Sequence, residues 1–107
     1  MTIKEEIAMF EEITRLMNDT FIKKRQDYGQ TTTETYQKFG PVSMLTRMHD
    51  KMGRLDNLLG KGMTNHVGEA VTDTLLDLAN YALITIIEMH KDENRKSQTE
   101  CGGRYAP

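Results

Sequence analysis

Three acidic residues recur at four-residue spacing in an otherwise apolar stretch of the sequence. Glu69, Asp73 and Asp77 lie in the segment EAVTDTLLDLANYALITIIEM, residues 69 to 89, and Asn80 continues the series. A helix turns by about 100° per residue, so these side chains form one column on its surface. A carboxylate is rarely buried without a cation, a hydrogen-bond donor or a metal, because losing its hydration is costly. The sequence therefore predicts that other groups supply partners for this column.

Glu69 and Asp73 are suited to a divalent cation. They lie one turn apart on the same predicted face. Mg²⁺ is commonly held by one or two carboxylates together with water and substrate phosphates. We therefore expect Mg²⁺ as the cofactor, with Glu69 and Asp73 as its ligands. If the protein is an enzyme, Asp50 and Asp77 are the candidates for orienting an attacking water molecule.

A column of basic side chains precedes the acids. Arg47, Lys51 and Arg54 lie on one side of a predicted helix, and the short connection that follows makes the two helices antiparallel neighbours. In one interpretation, bases and acids pair as a buried network that fixes the helix register, and nothing is bound. In the other, the bases meet phosphate oxygens, arginine through a bidentate fork and lysine as a point charge. The spacing alone leaves both interpretations open.

Further groups would complete a site of nucleotide size. Lys24 adds a cation, and Tyr28, Tyr36 or Tyr81 could stack on a base, since every base has a flat aromatic face. Together with the acids and the basic column, these groups favour a nucleotide or nucleoside phosphate as ligand. The three histidines share no ligand spacing and are expected at the surface or at helix ends; they are His49, His66 and His90.

The spacing of apolar residues predicts three long helices and one short one. The first helix begins with a capping box at Thr2 and ends at Gly29. Residues 30 to 40 are expected to form a loop or a short helix that buries an aromatic pair, Tyr36 and Phe39.

Two further helices follow Gly40. Pro41 suits the first turn of a helix that ends at Leu59, and a glycine-bracketed connection leads to the last helix, residues 69 to 89. Its predicted core stripe faces away from the acids and consists of Val71, Leu75, Leu78, Ala82, Ile86 and Met89. The expected fold class is all-α, a small helical bundle.

Length and composition indicate a soluble globular protein. The chain has 107 residues and a formal net charge of -2, without the cationic excess that binding to duplex DNA requires. A domain of this size has a modest core that association often extends, so we expect a homo-oligomer. The longest apolar run is too short to span a membrane, and the acidic N-terminus is unlike a signal peptide. A cytoplasmic location without membrane contact is expected.

The predicted domain organisation is a helical nucleotide-binding domain over residues 1 to 91 and a mobile polar tail over residues 92 to 107. The sequence after Met89 loses its apolar periodicity and is rich in charge and glycine, which is typical of a mobile terminus.

Three blocks of the sequence carry a resemblance to a known family. They are Lys24 with Asp27-Tyr28-Gly29, the run Arg47 to Leu58, and Glu69 with the run Asp73 to Ala82. In these blocks the chain resembles the nucleotide modification associated domain one family. That family occurs largely in bacteriophages and is related to the MazG-like and dUTPase-like all-α nucleotide pyrophosphohydrolases. The resemblance therefore implies a MazG-like helical domain that recognises a nucleotide. It also implies an oligomer whose subunits complete one another's sites.

The residues that spacing and resemblance together suggest for ligand binding are Lys24, Asp27, Tyr28, Arg47, Lys51, Arg54, Asn80 and Tyr81. In the MazG-like relatives, one helix carries an E-E-x-x-E pattern and the next an E-E-x-x-D pattern, which hold Mg²⁺ for attack by water on a triphosphate. Here the first pattern becomes Asp50-Lys51-Met-Gly-Arg54, while the second keeps Glu69 and Asp73. Basic residues at two acidic positions would repel a second cation and attract phosphate directly.

The residues and the resemblance together leave three candidate functions. The first is a phage-type nucleotide-binding protein of nucleotide metabolism or base modification, which the resemblance extends to a Mg²⁺-dependent nucleoside triphosphate pyrophosphohydrolase. The second is a non-catalytic protein that sequesters a nucleotide or a cyclic-nucleotide signal of host defence, in the host cytoplasm. The third is a structural adaptor in which the charged columns only form ion pairs.

Overall fold

A computed structural model describes residues 1–60, 62 and 65–99. Within these ranges it does not describe the side chains of Tyr28, Asn65, His66 and residues 96–99. These residues form four helices and no strand, in the order α1 (Ile3–Tyr28), α2 (Thr31–Phe39), α3 (Val42–Leu59) and α4 (Asn65–Thr99). The prediction of an all-α fold is confirmed. The chain divides into two compact units, Met1–Thr32 and Thr33–Pro107.

Both ends of α1 follow from local sequence. The hydroxyl of Thr2 accepts a hydrogen bond from the backbone of Glu5 at 3.1 Å, and the Glu5 carboxylate accepts one from the backbone of Thr2 at 3.1 Å. Gly29 adopts a positive φ of 57° and donates its N–H to the carbonyl of Arg25. The predicted capping box and glycine stop are therefore confirmed. Exposed apolar side chains on α1 include Ile3, Ile7, Phe10 and Ile13.

The second unit is built around the packing of α3 against α4. Its buried apolar side chains are Tyr36, Met44, Leu55 and Val71. The bounds of α3 agree with the prediction from Pro41 and Leu59, and α2 confirms the short helix. Of the aromatic pair on α2, only Tyr36 is buried, and Phe39 is exposed.

The face through which α4 packs differs from the predicted one. Thr74 and Glu88 are only 2% and 1% exposed, whereas Leu75 and Ile86 of the predicted core stripe are 49% and 51% exposed. The buried face therefore lies closer to the polar column, and much of the apolar stripe is uncovered. Helical periodicity identifies an apolar stripe, but it cannot tell whether the same chain or another molecule covers it.

The bounds of α4 also differ from the prediction. The helix begins at Asn65 rather than Glu69, and it continues past Met89 to Thr99. Ion pairs one turn apart accompany the extension, between Lys91 and Glu88 and between Arg95 and Asp92. The first part of the expected tail is thus helical, and residues 100 to 107 lie outside the described part of the chain.

One helical stretch, Val67–Arg95, is long and apolar enough to cross a membrane by length and composition. Within its most apolar 18-residue segment, 11% is buried. A single stretch of this kind is weak evidence for a membrane segment, because core helices of soluble proteins meet the same criteria.

Candidate functional site

A cavity of about 510 Å³ opens along one flank of α3. The described residues that line it are His49, Asp50, Gly53, Arg54, Asn57 and Leu58. Their spacing of three and four places them on one side of the helix, and all six belong to the block from Arg47 to Leu58. The volume lies in the range of small-molecule sites, and the lining combines a cation, an acid, an imidazole and an amide.

Arg54 is the cation of this cavity, and α4 holds it in place. Its Nε donates a hydrogen bond of 3.3 Å to the hydroxyl of Thr74, which is buried. That hydroxyl donates its own proton to the carbonyl of Ala70 at 2.7 Å, so its lone pairs are available to the arginine. The terminal nitrogens of Arg54 have no partner among residues 1–60, 62 and 65–99. They form a fork that suits a phosphate or carboxylate.

Among the described residues, one ion pair joins the two predicted charged columns, and it is formed by Lys51 and Asp77. Lys51 Nζ lies 3.2 Å from Asp77 Oδ2, and the side chains are 28% and 29% exposed. The interpretation as an ion-pair network therefore holds for this pair. Because both side chains are partly exposed, the pair contributes at most about 1 kcal/mol to stability.

Arg47 and Tyr81, both predicted to bind ligand, contact each other. The guanidinium carbon of Arg47 lies 6.0 Å from the centroid of the Tyr81 ring, which is a cation–π distance. The contact ties α3 to α4, and it brings together two of the predicted residues. Asn80, also predicted to bind ligand, is buried.

Glu69 and Asp73 lie on the exposed side of α4. Neither has a hydrogen bond or an ion pair within the part of the chain that the structure describes. The described part of the chain contains no group of three or more His, Cys, Asp or Glu side chains that could hold a metal ion. Among the described residues, the predicted partner is therefore present for Asp77, whereas α4 turns Glu69 and Asp73 towards solvent.

The two catalytic candidates have different surroundings. Asp50 lines the cavity, whereas Asp77 is paired with Lys51. Three further predicted residues lie at the end of α1, in the first unit: Lys24 and Asp27 are exposed, and Tyr28 is the last residue of the helix. The site described here is built from the second unit alone.

The comparison with known families agrees with the blocks on which the sequence resemblance rests. The family described as nucleotide modification associated domain 1 matches residues 24–89, more than half of the chain. The chain belongs to this family. The match contains α3 with the whole described lining of the cavity, and Thr74 on α4. The chain matches none of the curated proteins and none of the solved structures with which it was compared.

Within the part that belongs to the nucleotide modification associated domain 1 family, sequence reasoning missed five residues of the site. His49, Gly53, Asn57 and Leu58 line the cavity, and Thr74 positions Arg54. A signal for Asn57 exists, because it lies on the same predicted side of α3 as Arg54. For Thr74 there is no such signal, since its contact depends on the packing face of α4.

A second polar cluster joins α2 to α4. The hydroxyl of Thr33 donates to Glu88 Oε2 at 2.9 Å, and Lys91 Nζ donates to the same oxygen at 3.2 Å and to the Thr33 hydroxyl at 2.9 Å. Nearby, burial raises the pKa of Tyr36, and the negative charges of Asp92 and Glu88 raise it further. These residues include parts of the expected loop and tail, so their pairing could not be predicted from the sequence.

Proposed function

We propose that this protein binds a nucleotide on the flank of α3, with a phosphate of the ligand at Arg54. The observation that carries the proposal is that Arg54 lines a cavity of about 510 Å³ while its Nε donates to the hydroxyl of Thr74. Its terminal nitrogens have no partner among the described residues. A fixed fork of donors is well matched to phosphate oxygens. Membership in a family described as associated with nucleotide modification supports the same ligand class.

The other polar groups of the cavity suit the rest of a nucleotide. Asn57 offers two donors and an acceptor, Asp50 offers acceptors, and His49 can donate or accept. Such groups can hydrogen-bond the edge of a base or the hydroxyls of a sugar. Lys51 is a weaker candidate for phosphate than Arg54, because Asp77 already neutralises part of its charge.

Between holding and hydrolysing the nucleotide, the arrangement favours holding it. Of the predicted acids, Asp77 is paired with Lys51, and Arg54 stands where a metal-binding pattern would place an acid. This supports a non-catalytic protein that sequesters a nucleotide, or a cyclic-nucleotide signal if the chain serves a phage against host defence. For the protein itself we propose a cytoplasmic location.

The hydrolytic alternative rests on Glu69 and Asp73. Both side chains are exposed and one turn apart, which fits a hydrated Mg²⁺ held largely by the phosphates of a nucleotide rather than by the protein alone. The ion would supply charge neutralisation at the phosphates. Asp50, which lines the cavity, is then the residue of this chain that could orient water, in a pyrophosphohydrolase of nucleotide metabolism or base modification.

The test is calorimetry of the full chain with nucleoside mono-, di- and triphosphates and cyclic dinucleotides, with and without Mg²⁺, followed by chromatography of the recovered ligand. Binding with the ligand recovered intact supports capture. Release of monophosphate and pyrophosphate, abolished by Asp73→Asn and retained in the exposed control Asp56→Asn, supports hydrolysis. The absence of binding across the whole panel would overturn the proposed function.

We also propose that the protein is a homo-oligomer. Large apolar side chains on the outer side of α4 and on α3 are exposed, among them Leu75, Leu83, Ile86, Leu45 and Met52. An exposed apolar surface of this kind is typical of a protein interface. A second copy of the chain would bury the part of the apolar stripe that the single chain leaves uncovered.

A further inference from the structure

Gly53 lies in the interior of α3, where glycine is unfavourable. Glycine loses more conformational entropy in a helix than alanine does, so it needs a reason at such a position. Backbone conformation is not the reason, because the positive-φ glycines of the described chain are Gly29, Gly40 and Gly62. The backbone at Gly53 is that of the helix around it.

Packing within the chain does not require glycine at this position either. In the described part of the chain, a Cβ atom built on Gly53 meets no heavy atom within 4 Å apart from its chain neighbours and the backbone of its own helix turn. Gly53 therefore leaves a space that no neighbouring side chain uses.

The space belongs to the cavity. Gly53 lines it between Asp50, one turn earlier, and Asn57, one turn later, with Arg54 as its neighbour. A glycine at this point leaves a strip of bare backbone in the wall. The N–H and C=O groups within a helix are already bonded to each other, so the strip offers van der Waals contact and few hydrogen bonds.

We infer that Gly53 is a specificity-determining residue that keeps this strip open for the flat face of a nucleotide's base. In this arrangement the base lies against the backbone at Gly53, Asn57 and Asp50 meet its polar edge, and the phosphate is at Arg54. A methyl group at position 53 would hold the ring away from the backbone and spoil both the contact and the alignment of the edge. The inference rests on the proposed function and adds that the base, not only the phosphate, is recognised.

The experiment compares Gly53→Ala with Thr46→Ala, an exposed position on the same helix outside the cavity lining. Both substitutions favour the helix, so both should leave the Tm of the ligand-free protein unchanged or raise it by a few degrees. Calorimetry then measures the Kd of the best nucleotide of the panel and of inorganic tripolyphosphate, which has no base. We expect Gly53→Ala to weaken nucleotide binding about tenfold or more and to leave tripolyphosphate binding unchanged. Thr46→Ala should change neither.

Three results would overturn the inference while leaving the proposed function intact. The first is a Gly53→Ala variant that binds the nucleotide as tightly as the wild type. The second is an equal loss for nucleotide and tripolyphosphate, which would mean that the methyl group does not act on the base. The third is a fall in Tm or a change of oligomer mass, which would assign Gly53 to packing between protein surfaces. If the wild type binds no nucleotide, both the inference and the proposed function fail.

Discussion

Arg54 Nε and the hydroxyl oxygen of Thr74 lie 3.3 Å apart and join α3 to α4 beside the cavity. The same hydroxyl donates to the carbonyl of Ala70, one turn earlier on α4. The buried threonine thus links the guanidinium to the backbone of a neighbouring helix. It restricts the arginine side chain before any ligand binds, which lowers the entropy lost on binding.

Thr74→Val tests this link, since valine has the shape of threonine but no hydroxyl. We expect nucleotide affinity to fall several-fold, because Arg54 loses its orienting acceptor, and stability to fall by about 1 kcal/mol. Thr74→Ser keeps the hydroxyl and should restore most of the affinity. Calorimetry and urea denaturation measure the two effects. Unchanged affinity in the valine variant would mean that Thr74 does not position Arg54.

Arg54 and Lys51 should contribute unequally to ligand binding. Arg54→Lys keeps the charge but removes the fork, so we expect about a tenfold loss of affinity, and a larger loss for Arg54→Gln. Lys51→Met should weaken binding less, because its charge is shared with Asp77, and should cost at most about 1 kcal/mol of stability. Titration calorimetry of the three variants decides. A larger effect at Lys51 would place the phosphate away from Arg54.

Features that depend on local sequence could be predicted, and those that depend on packing could not. The capping box at Thr2 and the positive φ of Gly29 follow from neighbouring residues alone. Ion pairing between the two helical columns was one of two interpretations of their spacing, and only the structure shows that Lys51 pairs with Asp77. The rotation of α4 that exposes Glu69 could not be predicted, because an apolar stripe does not reveal which molecule covers it.

The cluster around Glu88 should be important for stability. Glu88 is 1% exposed and bonds to Thr33, which lies 55 residues earlier in the chain. Glu88→Ala would leave Thr33 and Lys91 without their shared acceptor, so we expect a loss of about 3 kcal/mol. Glu88→Gln should cost less, and the exposed Glu34→Gln on α2 almost nothing. Urea denaturation measures all three. Equal stabilities of the Glu88 and Glu34 variants would contradict a structural role for the cluster.

Tyr36 should make stability depend on pH in the alkaline range. Burial raises its pKa in the folded protein, with further contributions from the negative charges of Asp92 and Glu88, opposed by Arg95. A raised folded-state pKa favours the neutral phenol, so the contribution is complete below the ordinary tyrosine pKa of about 10 and is lost as the pH rises through the folded-state value. The unfolding free energy of the wild type, relative to that of Tyr36→Phe, should therefore fall as the pH rises above about 10. A difference that is constant with pH would contradict the raised pKa.

The exposed apolar side of α4 should hold the proposed oligomer together. Ile86 is 51% exposed in the single chain, so a charge there meets water in a monomer and an apolar partner surface in an oligomer. We expect Ile86→Lys to reduce the molar mass measured by light scattering while the helical circular dichroism signal is retained, because a buried unpaired charge is costly. Thr46→Lys, at an exposed polar position of α3, adds the same charge and should leave the mass unchanged. If Ile86→Lys keeps the wild-type mass, the subunits associate through another surface, and the apolar side of α1 around Phe10 becomes the next candidate, because it is exposed as well.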